Sequence, residues 1–406
     1  MPLGSVSEWM DDYTGGRVVW YVKRLSGNDT LANGSHQGGP YVPKPVLFSV
    51  FKELHAESRV NPDVWFQLFL DSHPDVRRVR AVWYNNKIRG GTRDEARITG
   101  FGGKSSPFLD PESTGAIAIF AFVQDDNGSV NECHVWISRD GLEEDLIEER
   151  TGPIEPGTWM TMTAGRLPTL ALDERPSARA SCRLSLEELP EEWRKAFPSA
   201  SEIVTKAVAL RSSHGMNPDQ RLIARRRCEL ELFRSVEDAI DLPRIRESCS
   251  GVEAFLEAAQ EILQRRRSRA NASLGLHMRQ ILVEEGFREG SDFEGAQWID
   301  DRAFDFVFPN WVSYRDETIP VDRLRNLSVM VTCRDRWHQV LGIDARADAR
   351  HILTLQEGVS ENQFRAMRQA KVMLVVPEAL RESYPAAVRP DLLSLESFLA
   401  DVRLLS

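Results

Sequence analysis

The feature that most constrains the fold is a change in hydrophobic pattern along the chain. From Val18 to about Val135, apolar residues come in short β-branched and aromatic runs: VVWYVKRL, AVWYNN, AIAIFAFV and CHVWIS. Such runs predict β-strands. The segments between them, GNDTLANGSHQGGP, RGGTRDE, TGFGGKSSP and QDDNGS, are rich in turn-forming residues. The first part is therefore predicted to be a mostly β domain, with polar loops long enough to bind a ligand.

The second part has a different pattern. Apolar residues fall at helical spacing in DQRLIARRRCELELFRSVEDAI, VEAFLEAAQEILQRRRSR and SLGLHMRQILVEEGF. Four short apolar runs follow, FDFVF, LSVMVTC, HILTL and KVMLVVP, with the helical patterns RDRWHQVL and ENQFRAMRQA between them. Strands that alternate with helices predict an α/β domain around a central sheet. Functional groups in such domains gather at the strand ends.

Periodicity fades after about Gly165, and LDERPSARAS has the composition of an exposed linker. We therefore assign residues 1–172 to the first domain, 173–190 to a linker and 191–406 to the second domain. No apolar run approaches the roughly 18 residues of a membrane span. The start MPLGSVSEWMDDY has neither the basic nor the apolar part of a signal peptide. We expect a cytoplasmic protein.

Charge and cysteine content narrow the possible partners. The net charge of −10 excludes a generic polybasic nucleic-acid coat, so any DNA contact must come from local basic patches. Five cysteines, an odd number without a CxxC pair, are expected to be reduced thiols, and a zinc site is not expected.

The segment Arg334, Asp335, Arg336 directly follows the run LSVMV. An arginine can bond O6 and N7 of guanine together, while an aspartate can accept from the cytosine amino group or hold an arginine in register. The alternative is a solvated helix start with a local ion pair, and spacing alone favours that alternative.

Other polar groups are less specific. The runs Arg225–Arg227 and Arg265–Arg269 would suit phosphates, or they form solvated helix faces. In the first domain, the loop with Arg93, Glu95 and Arg97 and the loop with His36 and Tyr41 carry groups that suit base edges and phosphates. A lone histidine such as His36 is more often a surface residue than a catalyst.

Several long stretches in one order are similar to a known family. GRVVWYVKRLSGNDTLANGSHQGGPYVP and AVWYNNKIRGGTRDEARITGFG resemble the N-terminal effector-binding domain of EcoRII-type restriction endonucleases. NPDQRLIARRRCELELF, RRRSRANASLGLH and LRNLSVMVTCRDRWHQVL resemble the catalytic domain of that family. The resemblance implies a β pseudobarrel followed by a restriction-endonuclease-like α/β domain. It also implies a homodimer on double-stranded DNA sites of the CCWGG kind, a cognate methyltransferase and an N-terminal domain that restrains the catalytic one.

The resemblance also implies roles for single residues. Arg334, Asp335 and Arg336 correspond to the readers of the C:G base pairs, and Arg226 corresponds to a residue at the pocket for a flipped central base. Leu230 stands where the family often has an aromatic residue. Arg93, Glu95 and Arg97 match the effector-DNA loop, in which Ala96 replaces an expected lysine.

The family hydrolyses phosphodiesters with Mg²⁺, using carboxylates to hold the metal and a lysine near the scissile phosphate. Asp305 matches the metal-binding aspartate. Gly275 stands at a glutamate position, Met330 at the lysine position and Ile343 at a second glutamate position. A single carboxylate is a poor Mg²⁺ site, and methionine carries no charge.

Other charged residues are candidates to replace the two glutamates and the lysine. Asp344 could supply a displaced carboxylate. Glu284 and Glu285 lie nine and ten residues after Gly275 on the same predicted helix. The rotation of a helix over that distance turns both glutamates away from the side that Gly275 occupies, so they are poorly placed to replace a glutamate there. An arginine such as Arg325 or Arg334 would have to replace the lysine.

Three hypotheses follow. The preferred one is a degenerate enzyme that recognises DNA but cuts it poorly or not at all. The second is a working Mg²⁺-dependent endonuclease with a rearranged centre that uses Asp305 and Asp344. The third is an interaction or regulatory protein that has kept only the scaffold.

Overall fold

The computed structural model describes residues 4–34, 39–163, 166–172, 181–212, 214–246, 251–296, 305–343 and 346–405, with the backbone alone at 166–172 and Lys104. It divides into two compact units. The first comprises Met1–Glu174 with the segments Gln356–Ala366 and Leu380–Asp391. The second comprises Arg175–Leu355, Met367–Ala379 and Leu392–Ser406.

The first unit is built on one eight-stranded sheet. Its strands are β1 (Val18–Arg24), β2 (Asp63–Leu70), β3 (Asp75–Tyr84), β4 (Glu95–Thr99), β5 (Ile117–Gln124), β6 (Val130–Ile137), β7 (Thr158–Thr163) and β8 (Arg166–Leu172). The strand order is β4-β3-β2-β6-β5-β1-β7-β8. Neighbouring strands are antiparallel except β2 and β6, which are parallel. Three helices accompany the sheet: α1 (Val6–Asp12), α2 (Lys44–Val50) and α3 (Gly141–Thr151).

Strand alternation explains why this sheet has apolar clusters on both faces. In β1, Val19 and Tyr21 join one cluster, whereas Trp20 and Val22 join the other. Successive side chains of a strand point to opposite faces, so a continuous apolar run fits a strand covered on both sides. The prediction of a mostly β first domain is confirmed. The four predicted runs correspond to β1, β3, β5 and β6, and the other four strands of this sheet were not predicted.

The second unit contains long helices and a five-stranded sheet. Its helices are α4 (Glu191–Lys195), α5 (Ala200–Leu210), α6 (Pro218–Arg246), α7 (Val252–Glu284), α8 (Trp311–Arg315), α9 (Glu361–Gln369) and α10 (Leu395–Arg403), and α9 extends across the division between the units. Its strands are β9 (Glu294–Gly295), β10 (Phe306–Phe308), β11 (Arg325–Met330), β12 (Arg350–Thr354) and β13 (Val372–Val375), in the order β13-β12-β11-β10-β9. The strands β11, β12 and β13 are parallel. The predicted α/β domain and its four apolar strands are confirmed.

Two local expectations differ from the structure. The second and third helical patterns form one continuous helix, α7, of 33 residues. The segment RDRWHQVL forms a turn and then a 3-10 helix, Trp337–Gly342, instead of an α-helix. Its Gln339 amide donates to the Arg336 carbonyl three residues earlier, at 2.9 Å. This connection is too short to offset the free-energy cost of nucleating an α-helix.

The arginine runs join the two long helices. Arg265 of α7 pairs with Asp241 of α6 at 2.6 Å, and Arg266 pairs with Glu237 at 2.7 Å. Arg225 of α6 donates to Glu284 of α7 at 2.8 Å. We expected these runs either to bind phosphates or to form solvated helix faces. Neither expectation included ion pairs between two helices.

The expectation of reduced cysteines is wrong at one pair. A disulfide joins Cys182 to Cys228 across 46 positions of sequence. Both residues belong to an apolar cluster with Trp193 and Phe233, and this cluster holds the segment before α4 against α6. Only folding brings these two cysteines together, so their spacing gave no indication of it. Cys133 and Cys333 are buried and form no disulfide with another described residue, and Cys249 lies outside the described residues. No helix in the described ranges is long and apolar enough to cross a membrane.

Candidate nucleic-acid interface and hydrolytic centre

A cavity of about 790 Å³ lies in the second unit, at the carboxyl end of β11. We call it the β11 cavity. It is lined by Ala270, Asn271, Leu274, Asp305, Ser328, Val329, Met330, Val331, Thr332, Arg336, His338, Gln339, Val340, Gly342 and Ile343. The sequence predicts that functional groups gather at strand ends, and this cavity lies at such an end. Three of the four predicted hydrolytic positions, Asp305, Met330 and Ile343, therefore share one cavity.

Asp305 precedes β10 and is held against the neighbouring strand. Its Oδ2 accepts a hydrogen bond from the Val329 backbone amide at 2.7 Å. The residue as a whole is exposed. The protein atoms around its carboxylate nevertheless desolvate it, and this desolvation raises the pKa of Asp305. Desolvation acts against the hydrogen bond, which by itself would lower this pKa. The carboxylate is thus the acidic group that faces the cavity.

The other predicted hydrolytic positions carry no charge. Met330 is the last residue of β11 and is half-buried. Ile343 directly follows the 3-10 helix and packs on the cluster of Val307 and Tyr314. Gly275 lies in α7, one residue after Leu274 and four after Asn271, and both of those residues line the cavity. A Cβ at Gly275 would meet no heavy atom within 4 Å. Space for a side chain is therefore present at this position.

The described residues of the cavity do not fit a Mg²⁺ site. Among its described lining residues Asp305 is the only carboxylate, and the described ranges contain no group of three or more His, Cys, Asp or Glu placed to hold a metal. Mg²⁺ binds hard oxygen ligands, and carboxylates are the usual anionic ones. Asp344, the predicted replacement, lies outside the described residues.

The other candidate replacements for the missing charged groups form ion pairs with residues outside the cavity. Glu284 accepts from Arg221 and Arg225, each at 2.8 Å. Desolvation would raise the pKa of Glu284, but these arginines and Gln280 hold the pKa below its usual value. Glu285 bonds Arg221 and Arg403. Arg325, the candidate for the lysine role, donates to Asp401 at 2.6 Å.

The turn Arg334–Arg336 lies between β11 and the 3-10 helix. Arg336 lines the β11 cavity. The Arg334 guanidinium is 3.7 Å from the Asp335 carboxylate, and the Arg334 side chain is 10% exposed against 39% for Asp335. The local ion pair of the second sequence interpretation is therefore present, and the reading of guanine by these arginines stays a prediction.

Arg226 lies in a buried polar cluster between α6 and α7. Its guanidinium donates to Glu229 at 2.9 Å and also bonds the Ser273 hydroxyl. Arg269 lies 3.4 Å from the second oxygen of Glu229. Burial would raise the pKa of Glu229, but Arg226 and Arg269 hold it far below its usual value. Leu230, beside this cluster, is buried.

Sequence reasoning missed Glu229, Ser273 and His277 as members of this cluster. The Nε2 of His277 is 3.7 Å from Glu229, and burial lowers the pKa of His277. A glutamate three residues after Arg226 is a helical neighbour, and that spacing could have indicated the first contact. The contacts with α7 depend on tertiary packing.

In the first unit, the predicted effector-loop residues pair with one another: Glu95 and Arg97 lie on one face of β4, and Arg93 lies two residues before Glu95. Glu95 accepts from Arg93 and from Arg97, each at 2.8 Å. The Arg93 guanidinium stacks over the Tyr84 ring at 4.5 Å. Partial burial would raise the pKa of Glu95, but the bonds and charges of Arg97 and Arg93 keep it below its usual value. Ala96 points to the opposite face, into the core, as strand alternation requires.

The second predicted loop is only partly described. Tyr41 is half-buried, and its carbonyl accepts from the Tyr21 hydroxyl at 3.2 Å. His36 lies outside the described residues.

Comparisons with known proteins identify the family of this chain. Residues 15–166 match the family profile described as "Restriction endonuclease EcoRII, N-terminal", and residues 233–399 match "EcoRII C terminal". The type II restriction enzyme EcoRII of Escherichia coli is 37% identical over 406 residues, which cover 99% of this chain and 98% of that enzyme. The chain belongs to the EcoRII family of type II restriction endonucleases.

Two solved structures are also similar. Metal-depleted Ecl18kI in complex with uncleaved, modified DNA has a TM-score of 0.41 and 20% identity, over 53% of this chain and 81% of that one. The UbaLAI restriction endonuclease B3 domain with cognate DNA has a TM-score of 0.26 and 18% identity, over 37% of this chain and 87% of that one.

Proposed function

We propose that this family member binds a short, CCWGG-like site in double-stranded DNA and cleaves it poorly or not at all. The observation that supports the proposal is the contrast at the β11 cavity. Charged groups are present in the turn Arg334–Arg336, of which Arg336 lines the cavity, while three of the four hydrolytic positions hold glycine, methionine and isoleucine.

Recognition follows from hydrogen-bond geometry. The forked donors of Arg334 and Arg336 fit O6 and N7 of guanine in the major groove. Asp335 fits the amino group of the paired cytosine and also holds Arg334 in register. In the first unit, Arg93, Glu95 and Arg97 would contact a second copy of the site, together with Tyr41 and His36, and Arg226 would lie at the pocket for a flipped base.

Weak hydrolysis follows from missing charge. A phosphodiester transition state gains negative charge, and one well-placed electrostatic group is worth on the order of 10²–10³ in rate. Asp305 alone gives a metal one anionic ligand and gives the phosphate no cation.

The oligomeric state, the cellular location and the partner methyltransferase are proposed from the family resemblance. We infer a cytoplasmic homodimer that acts beside a DNA methyltransferase of the same specificity. A two-fold dimer suits a pseudopalindromic site, because each subunit meets an equivalent half-site.

A binding selection on random duplex DNA, run beside a cleavage assay with Mg²⁺ or Mn²⁺, tests the proposal. We expect an enriched site of the CCWGG kind and an uncut plasmid that carries that site. R334A/R336A should weaken specific binding by roughly 30-fold or more, because it removes two bidentate base contacts that each contribute about 1–3 kcal/mol. The matched control R279A/R288A removes two exposed arginines that pair with Glu289 and Asp292.

One observation favours an alternative. Asp305 is retained in the cavity and held by the Val329 amide, as a metal ligand would need to be. Site-specific, metal-dependent cleavage that D305A abolishes would establish a rearranged working endonuclease with Asp305 and Asp344. Weak binding that is indifferent to sequence and unaffected by R334A/R336A would instead indicate an interaction protein.

A further inference from the structure

We propose that Arg78, supported by the ring of Trp65, is a further DNA contact of the first unit and binds a backbone phosphate in the DNA that flanks the recognition site. Arg78 lies on β3 and Trp65 on β2, and the family resemblance assigned no role to either. The inference rests on the proposed function, in which Arg93, Glu95 and Arg97 contact a copy of the site.

Strand register places Arg78 and Trp65 on the face of the sheet that carries Glu95. Tyr84 lies opposite Glu95 of β4, and Arg78 lies six residues before Tyr84 on β3, so the two β3 side chains point the same way. Trp65 of β2 lies opposite Arg80, which has the same orientation. The alternate residues of β3 pack in the apolar cluster of the opposite face. One face of β2, β3 and β4 therefore carries both groups of residues.

This face is covered over one part of the sheet and open over the other. Helices α1 and α3 cover it over β1 and β5, through an apolar cluster that includes Trp9, Trp20 and Ile147. Over β2 and β3, by contrast, Trp65 is 49% exposed and Arg78 is exposed as well. The open part is therefore accessible to a ligand as large as a DNA duplex.

The Arg78 guanidinium stacks on the indole of Trp65. Its Cζ atom lies 5.5 Å from the ring centroid. Among the described residues, Arg78 forms no ion pair and donates no side-chain hydrogen bond. Stacking uses the flat side of a guanidinium, so the N–H groups at its edge stay available for a phosphate. The ring thus holds the cation in place without using its donors.

Two carboxylates of β2 and β6 lie on this face, and neither pairs with Arg78 among the described residues. Asp63 pairs with Arg80 at 2.8 Å, so its charge is balanced. Glu132 of β6 is separated from Arg78 by Gln67 of β2, which lies in register with both residues. Two strand spacings are about 10 Å, which is about the distance over which 0.1 M salt screens exposed charges. Arg78 therefore keeps its attraction for a phosphate.

The distance between the two groups of residues fits a contact outside the site. A strand rises about 3.4 Å per residue, so Arg78 lies about 20 Å along β3 from Tyr84 and Glu95. A site of the CCWGG kind spans about 17 Å of helix axis, and each DNA strand carries a phosphate about every 3.4 Å. A duplex that is bound at Arg93 and Glu95 and follows β3 would place flanking phosphates at Arg78. Arg93 stacks on Tyr84 in the same manner, 4.5 Å from the ring centroid.

Lys52 supplies a matched control. It is exposed, and it forms no ion pair among the described residues. It belongs to the 3-10 helix Lys52–Leu54, whose Leu54 packs with Phe66 and Val79 on the opposite face of β2 and β3. K52Q therefore removes one exposed positive charge of the same unit from the other side of the same two strands.

The experiment measures how Kd depends on salt in the R334A/R336A chain, in which the remaining specific binding belongs to the first unit. The probe is the selected site with about ten base pairs of flank on each side. We expect R78Q to lower the slope of log K against log salt by about 0.9, which weakens binding about eightfold at 0.1 M salt and hardly at all at 1 M. K52Q should change neither quantity. R78K should keep most of the slope, because lysine retains the charge.

Two further measurements locate the contact. W65L should weaken binding about two- to fivefold in the parent chain and less in the R78Q chain, because the ring acts through Arg78. On a duplex trimmed to the site with about one base pair on each side, R78Q and its parent should bind equally. Thermal midpoints of all variants are recorded, and we expect R78Q and K52Q to leave them unchanged, since both residues are exposed.

The outcomes are distinct. A slope that R78Q leaves unchanged, or that K52Q lowers equally, would overturn the inference. So would an R78Q effect that persists undiminished on the trimmed duplex, or an R334A/R336A chain with no specific binding left. In each of these cases the wild-type chain still selects its site and the proposed function stands. A wild-type chain that selects no duplex overturns that function and this inference together.

Discussion

At the scale of single residues, Asp305 is the only carboxylate among the described residues that line the β11 cavity. Gly275 has room for a side chain, and Met330 and Ile343 face or border the same space as Asp305. The lack of charge at these three positions is therefore a matter of residue identity and not of collapsed packing.

Restoration of the missing groups tests this statement. We expect the triple variant G275E/M330K/I343E to gain metal-dependent cleavage of a plasmid that carries the selected site, by at least about 10²-fold over the parent chain. The same variant with D305N added is the control and should lose the gain. If the triple variant keeps its DNA affinity and still does not cut, the assignment of these positions is wrong.

His351 gives a second prediction at this scale. Burial, with the charge of Arg325, lowers the pKa of His351 to about 4 from an ordinary 6.5. The imidazole lies in β12, with Nδ1 3.1 Å from the Asn326 carbonyl. Below pH 6.5 the unfolded chain takes up a proton that the folded chain refuses, so stability is complete above pH 6.5 and falls as the pH drops towards 4. The difference of about 2.5 pH units corresponds to about 3 kcal/mol.

Urea unfolding of the wild-type protein and H351N between pH 4 and 8 measures this effect. Asparagine keeps a donor for the Asn326 carbonyl but does not titrate in this range. We expect the loss of unfolding free energy between pH 6.5 and 4 to be smaller in H351N. An identical pH profile in the two proteins would refute the assignment.

At the scale of secondary-structure elements, the long helices depend on cross-links that no local pattern contains. Arg265 and Arg266 reach from α7 to acidic residues of α6, and Cys182 is joined to Cys228 of α6. The helical pattern predicted that α6 and α7 exist, since apolar periodicity is a local property. It did not predict which faces meet.

The disulfide gives the prediction at this scale. A link across 46 residues restricts the unfolded chain, which corresponds to about 4 kcal/mol by the chain-entropy relation. We expect a thiol reductant to lower the thermal midpoint of the wild-type protein and to leave that of C182S unchanged. C133S, which removes a buried free thiol of the first unit, should respond to reductant as the wild type does. A wild-type midpoint that is insensitive to reductant would argue against the bond.

At the scale of the whole molecule, the acidic net charge and the internal pairing of arginines limit how this chain attracts DNA. Net charge is −10, and several arginines that a sequence reader would assign to phosphates are paired with carboxylates inside the second unit. Affinity must then come from a small number of arginines at specific places.

The dependence of affinity on salt measures this directly, since each phosphate neutralised adds about 0.9 to the slope of log K against log salt. We expect R265A/R266A to lower thermal stability and to leave that slope unchanged, because both arginines already pair with Asp241 and Glu237. The R279A/R288A variant controls for loss of exposed positive charge. A slope reduced by about 2 in R265A/R266A would mean that these pairs open to bind phosphates.

The sequence by itself determined the order of elements and the chemical identity of the sites. Runs of β-branched and aromatic residues predicted β1 and β5, helical spacing predicted α6, and the residue types at 275, 330 and 343 indicated three uncharged positions beside Asp305, because all of these are properties of nearby residues. Only the tertiary structure decided which distant groups meet. The cluster around Glu229 and the Cys182–Cys228 bond each join positions separated in sequence, and such contacts arise from packing that no local pattern records.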